Sequence, residues 1–160
     1  MAVTIAIETP LQDDVRALVE KLNAHLIPLS PLEFQFKMTV EQMAGSDTTL
    51  FVARDEAGRA IGMGALKVHS PALGEVKRMF TEQAVRGQRV GSALLGAIVA
   101  LARQNQLPVL MLETGSGEGM AEAHRLYTRA GFTPRGPFLD YPDSQWSAFF
   151  EMPLLVEQPA

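Results

Sequence analysis

The sequence predicts an α/β (α+β) fold in which a mixed β-sheet of about 6–7 strands is flanked by about 4 helices. Two observations carry this expectation. Strand-like and helix-like patterns follow one another in the order β, α, β-meander, α, β, α, β, β along 160 residues, with no internal repeat and no linker long enough to divide the chain, so residues 1–160 are expected to form one domain. Hydrophobic residues make up 47% of the chain and charged residues 20%, the balance of an ordinary folded domain and not of a disordered segment or a coiled coil.

Residues 3–7 are a short run rich in β-branched side chains and read as the first strand. Thr9-Pro10 follows, with Thr9 as a helix cap, Pro10 at the first helical position and Gln12 completing a capping box. Val15, Leu18, Val19, Leu22 and Leu26 then recur at helical spacing and form one buried face, until Pro28 and Pro31 end the pattern. The stretch 27–38 is neither periodic nor low in complexity. It is a loop suited to lining a substrate site, and Thr39 to Ala44 adds one short helix after it.

Thr48 to Arg54 and Ala60 to His69 read as strands joined by the glycine-containing turn Asp55 to Arg59, and Leu73 to Thr81 completes the meander. From Arg89 to Asn105 the residues Val90, Ala93, Leu94, Ala97, Ile98 and Leu101 mark an amphipathic helix whose small side chains permit close packing on a sheet. Pro108 to Leu112 is a short buried strand, and Met120 to Ala130 a second such helix with Gly131 as its C-terminal cap. Phe132 to Arg135 and Ala148 to Leu154 close the order as strands.

Charge and residue usage exclude several functions. A formal charge of −4 argues against nucleic acid, because non-specific binding there rests on many Lys and Arg contacts to phosphates. The chain has no cysteine, which removes a disulfide framework, thiolate metal ligands and a thiol nucleophile together. Met1 to Glu8 lacks the basic start and apolar run of a signal peptide, and no stretch approaches the ~20 apolar residues that span a bilayer, so a cytoplasmic protein with no membrane partner is expected. His25, His69 and His124 pair at neither helical nor strand spacing, so no metal is expected.

The segment that carries chemistry is Arg86-Gly-Gln-Arg-Val-Gly-Ser92, between the last meander strand and the amphipathic helix. Glycines let backbone N–H groups approach an anion, and a helix N-terminus adds unpaired donors and the positive end of its dipole. It is built as a phosphate cradle, with neither dinucleotide nor P-loop spacing. Here the chain resembles the GNAT superfamily of N-acetyltransferases, whose signature Gln/Arg-x-x-Gly-x-Gly/Ala occupies this junction. Arg86 and Gly91 match the outer positions, and Arg89 stands where the family has its central glycine, offering a guanidinium to the phosphate. Ala123-His-Arg-Leu-Tyr-Thr-Arg-Ala-Gly-Phe132 is similar to the family's second piece, a helix ending in leucine-tyrosine and then glycine-phenylalanine. Leu112 to Gly115 and Pro137 to Asp143 look like one branch of small bacterial acetyltransferases.

The resemblance implies a sheet splayed at its centre and acetyl transfer from acetyl-CoA by direct attack in a ternary complex. The pyrophosphate would lie on Arg86, Gly87, Gln88, Arg89, Val90, Gly91 and Ser92, and the pantetheine arm would pair with the backbone of Met79, Phe80 and Thr81. Val109 to Glu113 would form the opposite wall. Tyr127 matches the tyrosine that faces the sulfur; its alternative is a core tyrosine with a bonded hydroxyl. Glu75 and Glu113, on the two flanking strands, are candidate bases. Strand alternation puts Glu75, Lys77 and Met79 on one face, where Glu75 could equally pair with Lys77 or Arg78, while Glu113 could bond the first amides of the next helix. His124 reads as solvated surface, and Tyr141 and Trp146 as walls of the acceptor pocket. A small-molecule amine is the expected acceptor for a monomer or homodimer; a protein or peptide amine, or a non-catalytic acetyl-CoA-binding module, are the alternatives.

Overall fold

A computed structural model describes residues 2–154, so residue 1 and residues 155–160 of the expected domain lie outside the described residues. The strands are β1 (Thr4–Ile7), β2 (Thr48–Arg54), β3 (Ala60–Ser70), β4 (Leu73–Thr81), β5 (Val109–Gly115), β6 (Thr133–Arg135) and β7 (Ser147–Pro153). They form one sheet in the order β1-β2-β3-β4-β5-β7-β6. Only β4 and β5 run parallel; every other neighbouring pair is antiparallel. The helices are α1 (Asp13–Leu26), α2 (Val40–Met43), α3 (Val90–Gln104) and α4 (Ala121–Ala130).

Period-2 alternation along β2 explains why both faces of the sheet are covered. Leu50 and Val52 meet Val15, Leu18 and Leu22 of α1 on one face. Phe51 and Ala53 meet Leu94, Leu95 and Ile98 of α3 on the other. Leu18, Leu94 and Ile98 are at most 2% exposed, and burying each such side chain contributes about 1.5–3 kcal/mol. The two faces are the reason a central strand such as β3 reads as a nearly continuous buried run.

Local chemistry sets the element ends. Thr39 and Gln42 form a reciprocal capping box that starts α2, and Asp55 accepts from the backbone N–H groups of Ala57 and Arg59 to close the β2–β3 turn. Gly131 ends α4 with φ +108, the left-handed cap expected of it. Two expectations shift. The first helix starts at Asp13 rather than at Pro10, because Thr9 accepts from the Leu11 N–H in a local turn and the Gln12 amide is spent on Glu8 and the Thr9 carbonyl. The strand expected to stop at Leu112 continues to Gly115, since β7 pairs with it residue for residue from Val109 to Gly115.

Close approach of α3 to β3 depends on Gly64. A Cβ there would overlap Met79 Sδ and lie 3.1 Å from Ile98 Cδ1. Gly64→Ala is therefore expected to cost about 1–3 kcal/mol through overpacking, read as a lower denaturation midpoint. Full wild-type stability in that variant would show that Met79 and α3 yield freely.

Candidate active site

The β4–β5 ladder consists of two pairs, Gly74↔Leu110 and Glu75↔Met111, and then stops. Beyond it the two strands separate around a pocket walled by Val76 to Met79 of β4, Glu113 to Gly115 of β5, Tyr127 of α4 and the loop after α1. The loop 27–38 thus does line a pocket, as its position in the sequence led us to expect. Trp146 and Tyr141 are not among its walls.

A bulge shapes the β4 side. Met63 pairs with Phe80 but Ala65 pairs with Lys77, so β4 carries one extra residue, and Arg78 takes the left-handed conformation with φ +56. An extra residue breaks alternation. Lys77 donates to the Phe36 carbonyl at 3.3 Å and Arg78 to the Asn23 side chain of α1, so consecutive cations point to the α1 face. Met79 turns to the α3 face against Ile98. The expected alignment of Glu75, Lys77 and Met79 on one face is corrected by this bulge.

Glu75 is 2% exposed, with both oxygens engaged. His69 Nε2 lies 2.7 Å from Oε1, the Tyr141 hydroxyl donates to Oε2, and Lys77 Nζ stands 3.6 Å from Oε2 while donating to the Tyr141 oxygen at 2.9 Å. Burial, followed by the Glu75 charge, pushes the Tyr141 phenol upward. Glu75 does not line the pocket; its ion pair is with Lys77, and Arg78 stays apart. Sequence reasoning set His69 aside. Its place is set by the β3–β4 hairpin, whose Lys67↔Glu75 register brings His69 beside Glu75, a pairing that no local sequence pattern announces.

Glu113 does line the pocket. It accepts from Ser147 Oγ of β7 at 2.8 Å instead of bonding the next helix. Burial pushes its carboxyl up to about 7; the Ser147 hydrogen bond and the Lys77 charge oppose this and the Glu75 charge adds to it. Tyr127 is 6% exposed, and its ring packs on Phe132 and Phe150. Burial, then the Glu113 charge, raises its phenol, and among the described residues no hydrogen bond reaches its hydroxyl. The ring is core while the hydroxyl is free. His124, expected as solvated surface, bonds the Gly115 carbonyl at 2.8 Å and holds α4 to the end of β5.

The cradle segment forms a turn running into α3. Gly87 has φ +86 and Arg89 has φ +65, so the arginine holds the left-handed conformation where a glycine would rest without strain, at a cost of about 1–2 kcal/mol. No side chain caps α3, and its first backbone bond runs from the Ala93 N–H to the Arg89 carbonyl. The N–H groups of Val90, Gly91 and Ser92 are therefore left to an outside acceptor. A Cβ on Gly91 would meet Leu126 at an ordinary 3.4 Å, so packing does not require the glycine. Uncapped amides beside the exposed Arg86 and Arg89 suit a pyrophosphate. Among the described residues no cluster of three potential ligands could hold a metal, and no helix is long and apolar enough to cross a membrane.

This geometry agrees with known proteins. The family model of the acetyltransferase (GNAT) domain matches residues 46–134, more than half of the chain. An IAA acetyltransferase of Azospirillum brasilense is 40% identical over 153 residues, covering 95% of this chain and 98% of that protein. A candidate acyl-CoA N-acyltransferase of Klebsiella pneumoniae superposes with a TM-score of 0.78 at 32% identity, covering 96% and 98% of the two chains. A GNAT family acetyltransferase of Elizabethkingia anophelis, solved with acetyl-CoA bound, shares the fold at 16% identity and a TM-score of 0.65, over 95% and 98%. The splayed sheet, the uncapped α3 cradle and these matches together make the chain a member of the GNAT family of acetyl-CoA-dependent N-acetyltransferases.

Proposed function

We propose that the chain, acting as one domain, moves an acetyl group from acetyl-CoA to the primary amine of a small molecule by direct attack in a ternary complex. The observation that carries this reading is one pocket holding both a carboxyl pushed up to about 7 by burial, Glu113, and Tyr127, whose ring is buried and whose hydroxyl bonds no described residue. The loop 27–37 walls that pocket on the α1 side, which favours a small acceptor over a protein segment. The name of the Azospirillum relative, IAA acetyltransferase, supports the same class.

Bound acetyl-CoA supplies an acetyl thioester. The arginines Arg86 and Arg89, with Gly87, Gln88 and the amides of Val90, Gly91 and Ser92, hold its pyrophosphate, and the backbone of Met79, Phe80 and Thr81 holds its arm. Glu113 takes the proton of the incoming ammonium and frees the lone pair. The N–C bond forms, the C–S bond breaks with its electron pair passing to sulfur, and the proton shed by the attacking nitrogen balances the one the thiol carries away. Tyr127 donates a hydrogen bond to the sulfur as charge develops there. Glu75, fully engaged, positions Lys77 and Tyr141.

Two measurements follow. Coenzyme A release with small primary amines should rise along a limb near pH 7, where Glu113 ionises, and Glu113→Gln should lower kcat by ~10²-fold or more and abolish the limb. Stability moves oppositely. A carboxyl raised from 4.5 to about 7 keeps its proton in the native state while the unfolded chain ionises, so stability falls as pH rises through that window. Glu113→Gln should thus stabilise the fold above the window and not below it. An unaltered pH profile, or turnover confined to lysine peptides, contradicts the reading.

Tyr127→Phe separates chemistry from packing. Because the hydroxyl bonds no described residue, its loss should leave the melting temperature and acetyl-CoA affinity close to wild type while kcat drops ~10²-fold. A lowered melting point with unchanged kcat would make Tyr127 a packing residue.

A further inference from the structure

Among the described residues, two buried side-chain polar atoms have no hydrogen-bond partner: Arg78 Nε and Gln35 Oε1. Both residues line the pocket that also holds Glu113 and Tyr127. Buried polar groups are nearly always paired, so an orphan donor and an orphan acceptor carried by two residues of one pocket wall, both closed off in the free protein, point to a partner that reaches them when the wall side chains shift.

The orientation of each group is fixed. Gln35 Nε2 donates to the carbonyls of Leu26 and Ser30 at 2.7 Å each. Carbonyls accept only from the NH₂ end of the amide, so Oε1 is held as a bare acceptor. Arg78 is 8% exposed, and its partner is the neutral Asn23 side chain, to which Nη2 donates. Its left-handed backbone at the β4 bulge carries it to the α1 face beside Lys77. The nearby carboxylates are engaged elsewhere: Glu75 with His69, Tyr141 and Lys77, and Glu113 with Ser147. Burial without an opposing carboxylate lowers the Arg78 guanidinium to about 10. A cation taken out of water without a counter-ion is costly, and an anion arriving in the pocket relieves that cost.

Resting on the small-amine reading above, we infer that the acceptor is an amine that also bears a carboxylate, of the amino-acid class. The carboxylate meets Arg78, whose guanidinium edge presents Nε and an Nη hydrogen as a fork matching two carboxylate oxygens. An N–H of the same molecule donates to Gln35 Oε1, which leaves its nitrogen within the pocket that Glu113 faces. Leu22, Leu26, Leu29 and Phe34 supply apolar walls for the remainder of the molecule.

The test uses matched sets: an apolar amino acid, its amide, and the amine without the carboxyl group, each assayed for coenzyme A release. A site built around a hydrogen-bonded group rejects analogues that lack it, so wild type should prefer the acid by ~10²-fold or more in kcat/KM, chiefly through KM. Arg78→Lys retains the charge and removes the fork, and should cut that preference at least ~10-fold with acetyl-CoA affinity unchanged. The preference is a ratio within one preparation, so partial unfolding of the variant does not disturb it. Equal use of acid and amide by wild type overturns the inference alone. So does Arg78→Lys slowing all acceptors alike, which would assign Arg78 to the acetyl carbonyl or to the fold. Release with no member of any set, while calorimetry shows acetyl-CoA bound, overturns this inference together with the small-amine reading.

Discussion

The arrangement hangs on a parallel ladder that ends after two residue pairs. Backbone N–H and C=O groups past that end, on the facing edges of β4 and β5, have no strand to bond, and a buried strand edge is held open only where something else satisfies it. The β4 bulge at Arg78 lies three residues past the last pair at Glu75, and a bulge bends the strand that carries it. Glu113 from one strand, Arg78 from the other and Tyr127 from the helix behind all line the opening so made. The strand that bends away also leads, through a short turn, into the uncapped start of α3, so the gap and the anion cradle are consecutive parts of one chain segment.

Charge is distributed by burial more than by count. Glu75 and Lys77 neutralise each other with help from His69 and Tyr141, a network whose loss of one member would leave a buried charge exposed to the full penalty. That pairing leaves Glu113 without a direct cationic partner, and burial then keeps its carboxyl neutral to about pH 7. It also leaves Arg78 without an anion. The pocket therefore holds a carboxyl and a cation that are both buried without a charged partner in direct contact, an arrangement more common at functional sites than in packed cores.

The sequence made most of the frame legible for physical reasons. Apolar spacing identified the buried face of α1 and three residues of the α3 face, Val90, Leu94 and Ile98, whereas Ala93 is exposed and Leu95 and Ala102 are buried in its stead; the left-handed Gly131 and the Asp55 turn were readable because few residues serve those backbones. The turn that runs into α3 was readable through its glycines. What stayed hidden depends on register. A single inserted residue at Arg78 reverses the side-chain alternation of β4, and no local pattern announces it, because Lys77, Arg78 and Met79 are each acceptable in a regular strand. The same holds for His69, whose partner is set by hairpin pairing, and for the extra length of β5, which is granted by β7 from more than thirty residues away. Gln35 looked like one polar residue in an irregular loop; only the fold shows that its amide is pinned with the oxygen facing inward.

On the proposed function, one continuous acetyl-CoA site runs from the β4–β5 gap to the start of α3. Amide hydrogen exchange with and without saturating coenzyme A tests it directly, since backbone groups left open in the free protein become bonded in the complex. Slowing of ~10-fold or more is expected, confined to residues 76–81 and 87–93, with β1 and the β2–β3 turn unchanged. Protection that appears at the β1 edge, or that leaves 87–93 exchanging at the free rate, would contradict it.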